Sequence, residues 1–375
     1  MPLRAVISML LFGLIISSAV TYAAPNSKSN NTETASIDES KITVAILDGI
    51  EPHTLVYDDG AIVPFVNHPL PTFKDDQGVI HTGMLPTVGN EEAVRNMSVI
   101  MPSFDNVVRT QSQFDVVPPG PDRIIGNDDR VPVTDSTQQP WRMTVRIAYT
   151  NPNNTTGWCS GFIYDDNTVA TAAHCLYPYN DTTRGPNDFV KKVTITPGQN
   201  TGNSNGRPIP FPGCNGIALA VPAEWMRDGN VDFDWGTVKL DCAIGDVVGT
   251  YGLFVITDQE LAMNPQSNLV GYPSDKGLGT SGWGKYMYFS TSNVNSGSST
   301  AYRIAYDNDM VPGDSGAPVW RGLPPSCNYC VYAINSYEYF TGIPNFGVRI
   351  TQPVFAALKT AADRGFYVFV PLVRR

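Results

Sequence analysis

The sequence predicts an all-β fold, with short strands closing into barrels or sandwiches. Three observations carry this. After residue 124, apolar residues alternate with less apolar ones over short runs: Met143, Val145, Ile147 and Tyr149 interleave with Thr144, Arg146 and Ala148, the pattern of a half-buried strand. Thirty Pro and 33 Gly among 375 residues punctuate the chain too often for long helices. Only Thr351 to Arg364 reads as a good helix, with Val354, Phe355, Leu358 and Ala362 on one face and Gly365 to end it.

In chain order, Met1 to Ala23 reads as a secretory signal. Arg4 gives the positive start, Val6 to Val20 the apolar run, and Thr21 and Ala23 the small residues before the cut. The run is too short and too near the terminus for a membrane span. Asn26 to Ser40, rich in Ser, Asn, Thr and acids, has little apolar surface to bury and reads as a disordered leader. Lys41 to Gly120 mixes short apolar runs (Ile42 to Leu47, Ala61 to Val66) with Pro and Gly, and contains no Cys. It reads as a propeptide with modest structure; a separate binding domain is the competing reading. Val117 to Arg123 is a Pro- and Gly-rich linker.

Strand signals dominate after the linker. Gly161 to Tyr164 and Thr168 to Thr171 flank a turn at Asp165-Asp166-Asn167 and read as a hairpin ending near His174. Val190 to Thr196, Ile217 to Val221 and Tyr251 to Ile256 follow as further strands.

The chemistry concentrates in Val311-Pro312-Gly313-Asp314-Ser315-Gly316. Glycine tolerates backbone angles other residues avoid, so Gly313 and Gly316 mark a tight, exposed turn. In such a turn the N–H groups of Gly313 and Ser315 point into one concavity, where they hold a developing oxyanion. A serine hydroxyl needs a base beside it. His53, His68 and His81 lie in the segment read as removed, which leaves His174 in Thr171-Ala172-Ala173-His174-Cys175. Asp234, opening Asp234-Trp235-Gly236-Thr237-Val238-Lys239-Leu240, fits the carboxylate that orients the imidazole, with Asp232 as its competitor.

These three stretches, in the order His, Asp, Ser, resemble the chymotrypsin-like (trypsin-like) serine endopeptidases. Ile124 to Arg130 and Gly271 to Lys276 are similar to the glutamyl-endopeptidase branch. The likeness covers roughly residues 124–358. It implies two six-stranded antiparallel β-barrels, chymotrypsin-like, with a C-terminal helix and a preceding propeptide. The domains are then a signal peptide at 1–23, a propeptide at 24–123 and a protease domain at 124–375.

The resemblance also implies a cut after Arg123, freeing an Ile124 amine to insert beside Asp314. It implies a disulfide between Cys159 and Cys175, which bracket the hairpin that delivers His174. Cys214–Cys242 and Cys327–Cys330 follow by elimination. All six Cys lie in the mature part, and an even count behind a signal peptide fits disulfides. Glutamyl-specific relatives read the substrate carboxylate with a His and a hydroxyl; aligned here, those positions hold Asn335, beside Ser336, and Met310. Asp309 falls where trypsin-like pockets carry their acid, and Glu338 adds negative charge near the rim. Arg or Lys is the expected preference, ahead of large apolar residues and then Glu.

A net charge of −10 and a pI near 4.8 disfavour nucleic acid or an anionic membrane as partner. Sequons stand at Asn30, Asn96, Asn153, Asn154 and Asn180. The sequence thus reads as a secreted, extracellular glycoprotein and monomer. It is a serine endopeptidase made as a zymogen, cutting protein or peptide substrates through a Ser-His-Asp triad and an acyl-enzyme. It needs no metal or cofactor, and its partners are substrates and an activating protease. The alternative is a non-catalytic homologue acting as a binding module.

Overall fold

Six strands of the chain close on themselves into a barrel, and a second sheet curls beside it. The computed structural model describes residues 54–65, 70–100 (side chains through 95), 124–201, 210–280, 282–337 and 344–364. The signal, the linker with Arg123, Glu338 and Gly365 lie outside the described residues.

Two hairpins come first: β1 (Thr54–Tyr57) with β2 (Ile62–Pro64), and β3 (Thr72–Lys74) with β4 (Ile80–Met84). A helix, Glu91–Ile100, and a short β5 (Val131–Pro132) follow. The first barrel comprises β6 (Thr144–Thr150), β7 (Thr156–Asp165), β8 (Thr168–Thr171), β9 (Lys192–Pro197), β10 (Cys214–Pro222) and β11 (Gly236–Leu240). Its order is β11-β8-β7-β6-β9-β10, and β10 pairs with β11 to complete the ring. Val145, Ile147, Ile163, Val169 and Ile195 fill it, each 0% exposed. Burying a side chain of this kind contributes about 1.5–3 kcal/mol.

After β12 (Gly252–Phe254), the second half adds β13 (Gln266–Gly271), β14 (Tyr288–Asn293), β15 (Arg303–Tyr306), β16 (Pro318–Leu323), β17 (Cys327–Tyr337) and β18 (Asn345–Arg349). The antiparallel path β14-β13-β16-β17-β18-β15 returns on itself through one bridge, Val294 opposite Tyr306. The antiparallel expectation fails at one place: β12 runs parallel to β17.

The C-terminal helix Gln352–Asp363 forms as its sequence indicates. The Thr351 side chain accepts the Val354 N–H at its start, and Val354, Phe355 and Leu358 are buried. It lies on the first barrel: Tyr164 donates to the Leu358 carbonyl at 2.9 Å, and Lys239 to that of Ala362 at 2.6 Å.

The segment read as a propeptide with modest structure, Lys41 to Gly120, carries short strands among its described residues. Its described strands extend both sheets, β1 on β10 and β4 on β12. Leu55 shares a core cluster with Trp235, Phe355 and Leu358, so this segment has no separate core among the described residues. All three disulfides expected from the sequence are present: Cys159–Cys175, Cys214–Cys242 and Cys327–Cys330.

Candidate active site

β8 ends at Thr171, and the chain turns at once into one helical turn, Ala173–Leu176, which carries His174. Ala172 and Ala173 are small and fully buried, so this turn packs closely while the His174 side chain stays 29% exposed. The Cys159–Cys175 bridge ties it to β7. Arg184 supports it from outside, donating to the His174 carbonyl at 2.5 Å and lying over the Tyr149 ring.

Asp234 stands just before β11, only 2% exposed. Its Oδ1 accepts the His174 backbone N–H, and its Oδ2 lies against His174 Nδ1, both at 2.8 Å. Ser336 Oγ donates to the same Oδ2 at 2.5 Å. Burial alone would raise the Asp234 pKa. The facing His174 charge and these hydrogen bonds outweigh it, so the carboxyl sits below its ordinary value. A carboxylate on Nδ1 fixes the tautomer that leaves Nε2 free to take a proton. The competitor Asp232 is paired elsewhere, at 2.6 Å from Arg303.

The Ser315 turn is held by its carbonyls. Ser274 N–H donates to the Pro312 carbonyl at 2.8 Å, and Ser160 Oγ to that of Gly313 at 2.8 Å. The Asp314 carbonyl accepts Asn335 Nδ2 at 2.8 Å, and that of Ser315 accepts the Ser160 N–H at 2.9 Å. Four successive carbonyls are thus occupied. Among the described residues no hydrogen bond uses the N–H of Gly313 or Ser315. An anion is the natural occupant of such a nest.

Gly316 joins the two halves of the site. At φ +83°, a Cβ there would fall 2.1 Å from Thr171 Oγ1 and 2.3 Å from the Ser160 carbonyl oxygen. Only glycine lets the nucleophile turn of one barrel lie against the strand that ends in His174 on the other. His174 and Ser315 face this seam with no direct hydrogen bond between them among the described residues, as is common without substrate.

The residues expected to read substrate are otherwise employed. Asp309, 2% exposed, accepts the Ile125 N–H on Oδ1 at 2.7 Å and the Asp129 N–H on Oδ2 at 3.1 Å. Burial raises its pKa although both N–H groups pull it down. It therefore anchors the chain at 124–130 and is not presented as a pocket acid. Asn335 is fully buried, with Nδ2 on Asp314 and Oδ1 bound by the Tyr306 hydroxyl. Met310 is 1% exposed, and Ser336 holds Asp234. Asp314 is likewise buried and accepts its own turn's Val311 N–H on Oδ2 at 3.1 Å, while Ile125, next to the expected Ile124, donates to Asp309.

Sequence reasoning missed Ser160 and the supporting role of Ser336. Each acts through the strand pairing that brings it to its partner, which no local signal in the sequence displays. The stretches at 124–130 and 271–276 meet in space. Arg130 binds Asp128 at 2.9 Å and Asp275 at 2.5 Å, and Lys276 reaches Asp128 at 2.7 Å.

The trypsin family's sequence profile matches residues 131–360. The chain belongs to the trypsin family. This trypsin-like chain is 32% identical over 236 residues to a glutamyl endopeptidase of Bacillus licheniformis, covering 62% of this chain and 66% of that one. It is 28% identical over 247 residues to a protein of Bacillus subtilis named extracellular metalloprotease, covering 65% and 71%. A solved Glu endopeptidase structure superposes with a TM-score of 0.53 at 22% identity, over 64% of this chain and all of that one, and supports the fold. Together these place the trypsin-like chain near the glutamyl-endopeptidase branch and make it a serine endopeptidase.

The metal in one relative's name does not fit these residues. Among the described residues, the two groupings close enough to hold an ion are Cys159 and Cys175 with His174, and Cys214 and Cys242 with Asp241. Both cysteine pairs form disulfides, which offer no thiolate to a cation.

Proposed function

We propose that this chain is the precursor of a secreted serine endopeptidase, with a signal at 1–23, a prosegment at 24–123 and a mature part starting at Ile124. Ser315 attacks the peptide carbonyl. His174 takes its proton through Nε2 and returns it to the leaving amine. Asp234 orients the imidazole and stabilises its charged form, and Ser336 positions Asp234. The Gly313 and Ser315 N–H groups receive the oxyanion, and water then hydrolyses the acyl-enzyme.

The observation that carries this reading is the pair of free N–H groups in a turn whose four carbonyls are all occupied. Extracellular placement is supported by the sequence of Met1 to Ala23 and by the name of the Bacillus subtilis relative. A cut after Arg123 frees the Ile124 amine to pair with the Asp314 carboxylate; in the uncut chain the neighbouring Ile125 N–H donates to Asp309. With Asp309 so engaged, the basis for an Arg or Lys preference is gone. Asn335 and Met310 offer no positive charge for Glu, although one relative is a glutamyl endopeptidase. Uncharged, apolar side chains are therefore the proposed preference.

The test is a serine-directed phosphonylating reagent with mass spectrometry of the labelled peptide. Labelling at Ser315 with loss of peptidase activity, and no label or activity in Ser315→Ala, is expected. An unlabelled, inactive protein favours the non-catalytic homologue. N-terminal sequencing of active protein away from Ile124 removes the maturation scheme.

A further inference from the structure

The described residues between 54 and 95 (54–65 and 70–95) are built into both barrels' sheets. β1 lies on β10 with Leu55 opposite Pro222 and Tyr57 opposite Ala220, and β4 lies on β12 with Gly83 opposite Phe254. Thr54 through Tyr57 are at most 6% exposed, and Leu55 is wholly enclosed. Val94, from the following helix, belongs to the first barrel's core beside Val248. The approach is backbone to backbone: a Cβ on Gly83 would fall 2.2 Å from the Leu253 carbonyl oxygen, and one on Gly89 2.4 Å from the Gly249 nitrogen.

Buried polar groups are shared across the same boundary. Arg142, 2% exposed, donates to the Val248 carbonyl at 2.8 Å and the Val88 carbonyl at 2.6 Å, and pairs with Glu91. His81, 5% exposed, sits 3.0 Å from both Asp75 and Glu260, stacked on Phe73 with its ring against Phe254. The Arg364 guanidinium lies 3.7 Å over the Tyr57 ring. Departure of the segment would bare strand edges on β10 and β12, and leave Arg142 without two of its partners.

Among the described residues, no hydrogen bond or ion pair joins residues 54–95 to His174, Asp234 or Ser315.

We propose that residues 54–95 remain bound after the cut at Arg123. The mature protease is then a two-chain molecule whose N-terminal fragment supplies β1 to β4 to both sheets. This rests on the cleavage reading above and extends it: the cut frees Ile124 and leaves the leader in place.

The test uses the full chain with Ser315→Ala, so that nothing is self-digested, and a recognition sequence for a site-specific protease between Gly120 and Ile124. The cut protein is run by size exclusion in native buffer and in concentrated guanidinium. The expected result is equimolar co-elution of both fragments in native buffer and separation only in denaturant. Leu55→Asp in the same chain should weaken retention, so that the N-terminal fragment leaves on dilution. The idea is overturned if the unsubstituted fragment elutes alone while 124–375 keeps its near-UV circular dichroism and melting temperature. Because the cut is engineered, a natural N-terminus other than Ile124 counts against the maturation scheme alone.

Discussion

The first barrel, which carries His174 and Asp234, closes through a full strand pairing, β10 on β11, whereas the second, which carries Ser315, closes through a single bridge. The base is fixed by a strand end, a disulfide and bonds to one carboxylate. The Ser315 turn is gripped by side chains on its backbone, Ser160 on Gly313 and Asn335 on Asp314, and Asp309 nearby holds Ile125 and Asp129. One half is positioned by strand ladders, the other by a polar network. The network half should therefore lose catalysis before it loses its fold.

The seam gives the largest expected effect. Gly316→Val puts a branched side chain into backbone atoms about 2.3 Å away, where neither barrel can yield. No phosphonate-titratable serine and a collapsed melting temperature are expected; near-normal titration would show that the barrels are not locked there.

Asp234→Asn tests the ladder half. Loss of the fixed tautomer should cut kcat about 10⁴-fold, as in other Ser-His-Asp triads. The folded-state pKa of Asp234 lies below its ordinary value. Its ionised form therefore adds stability that is complete above the unfolded pKa and is lost as pH falls through the folded one. Urea midpoints on the acid side of pH 4 should flatten in the variant, and an unchanged acid limb would contradict the assignment.

Ser160→Ala probes the network half. It removes the donor on the Gly313 carbonyl and the acceptor of the Tyr272 N–H, while the backbone bond to Ser315 survives. With each lost bond worth about 1 kcal/mol, kcat should fall roughly tenfold to a hundredfold with KM little changed. Equal loss in KM and kcat would mean that the turn is positioned by other groups.

The smallest effect on substrate preference is expected at Asp309. In Asp309→Asn the side-chain carbonyl still accepts one N–H, so the fold should hold. The ratio of kcat/KM for Arg and Lys peptides to Leu peptides should not move; a drop in that ratio would restore Asp309 to the pocket.

The same division explains what the sequence disclosed. His174, Asp234 and Ser315 stood out because each sits in a contiguous motif whose local geometry does most of the positioning. The C-terminal helix was equally plain, since Thr351 and the apolar face of Val354, Phe355 and Leu358 are local signals. The bonds of Asp309 were hidden because they depend on the backbone that approaches it, and Ile125 is 184 positions away. Ser160 and Ser336 act through strand register, which a single sequence does not display. The strands at residues 54–84 are three to five residues long, and outside their own hairpins they pair with distant partners, so composition disclosed only modest structure there.

That long-range pairing also has a cost in time. Leu55 meets Pro222, and Gly83 meets Phe254, each roughly 170 positions downstream. At about 5–20 residues per second of synthesis, both hairpins wait on the order of ten to thirty seconds for the edges they will cover. During that interval each is a short hairpin with its outer strand edges open, and neighbouring nascent chains are available partners. The part of the molecule made first is among the last to find its place, and crowding during synthesis is where yield would be lost.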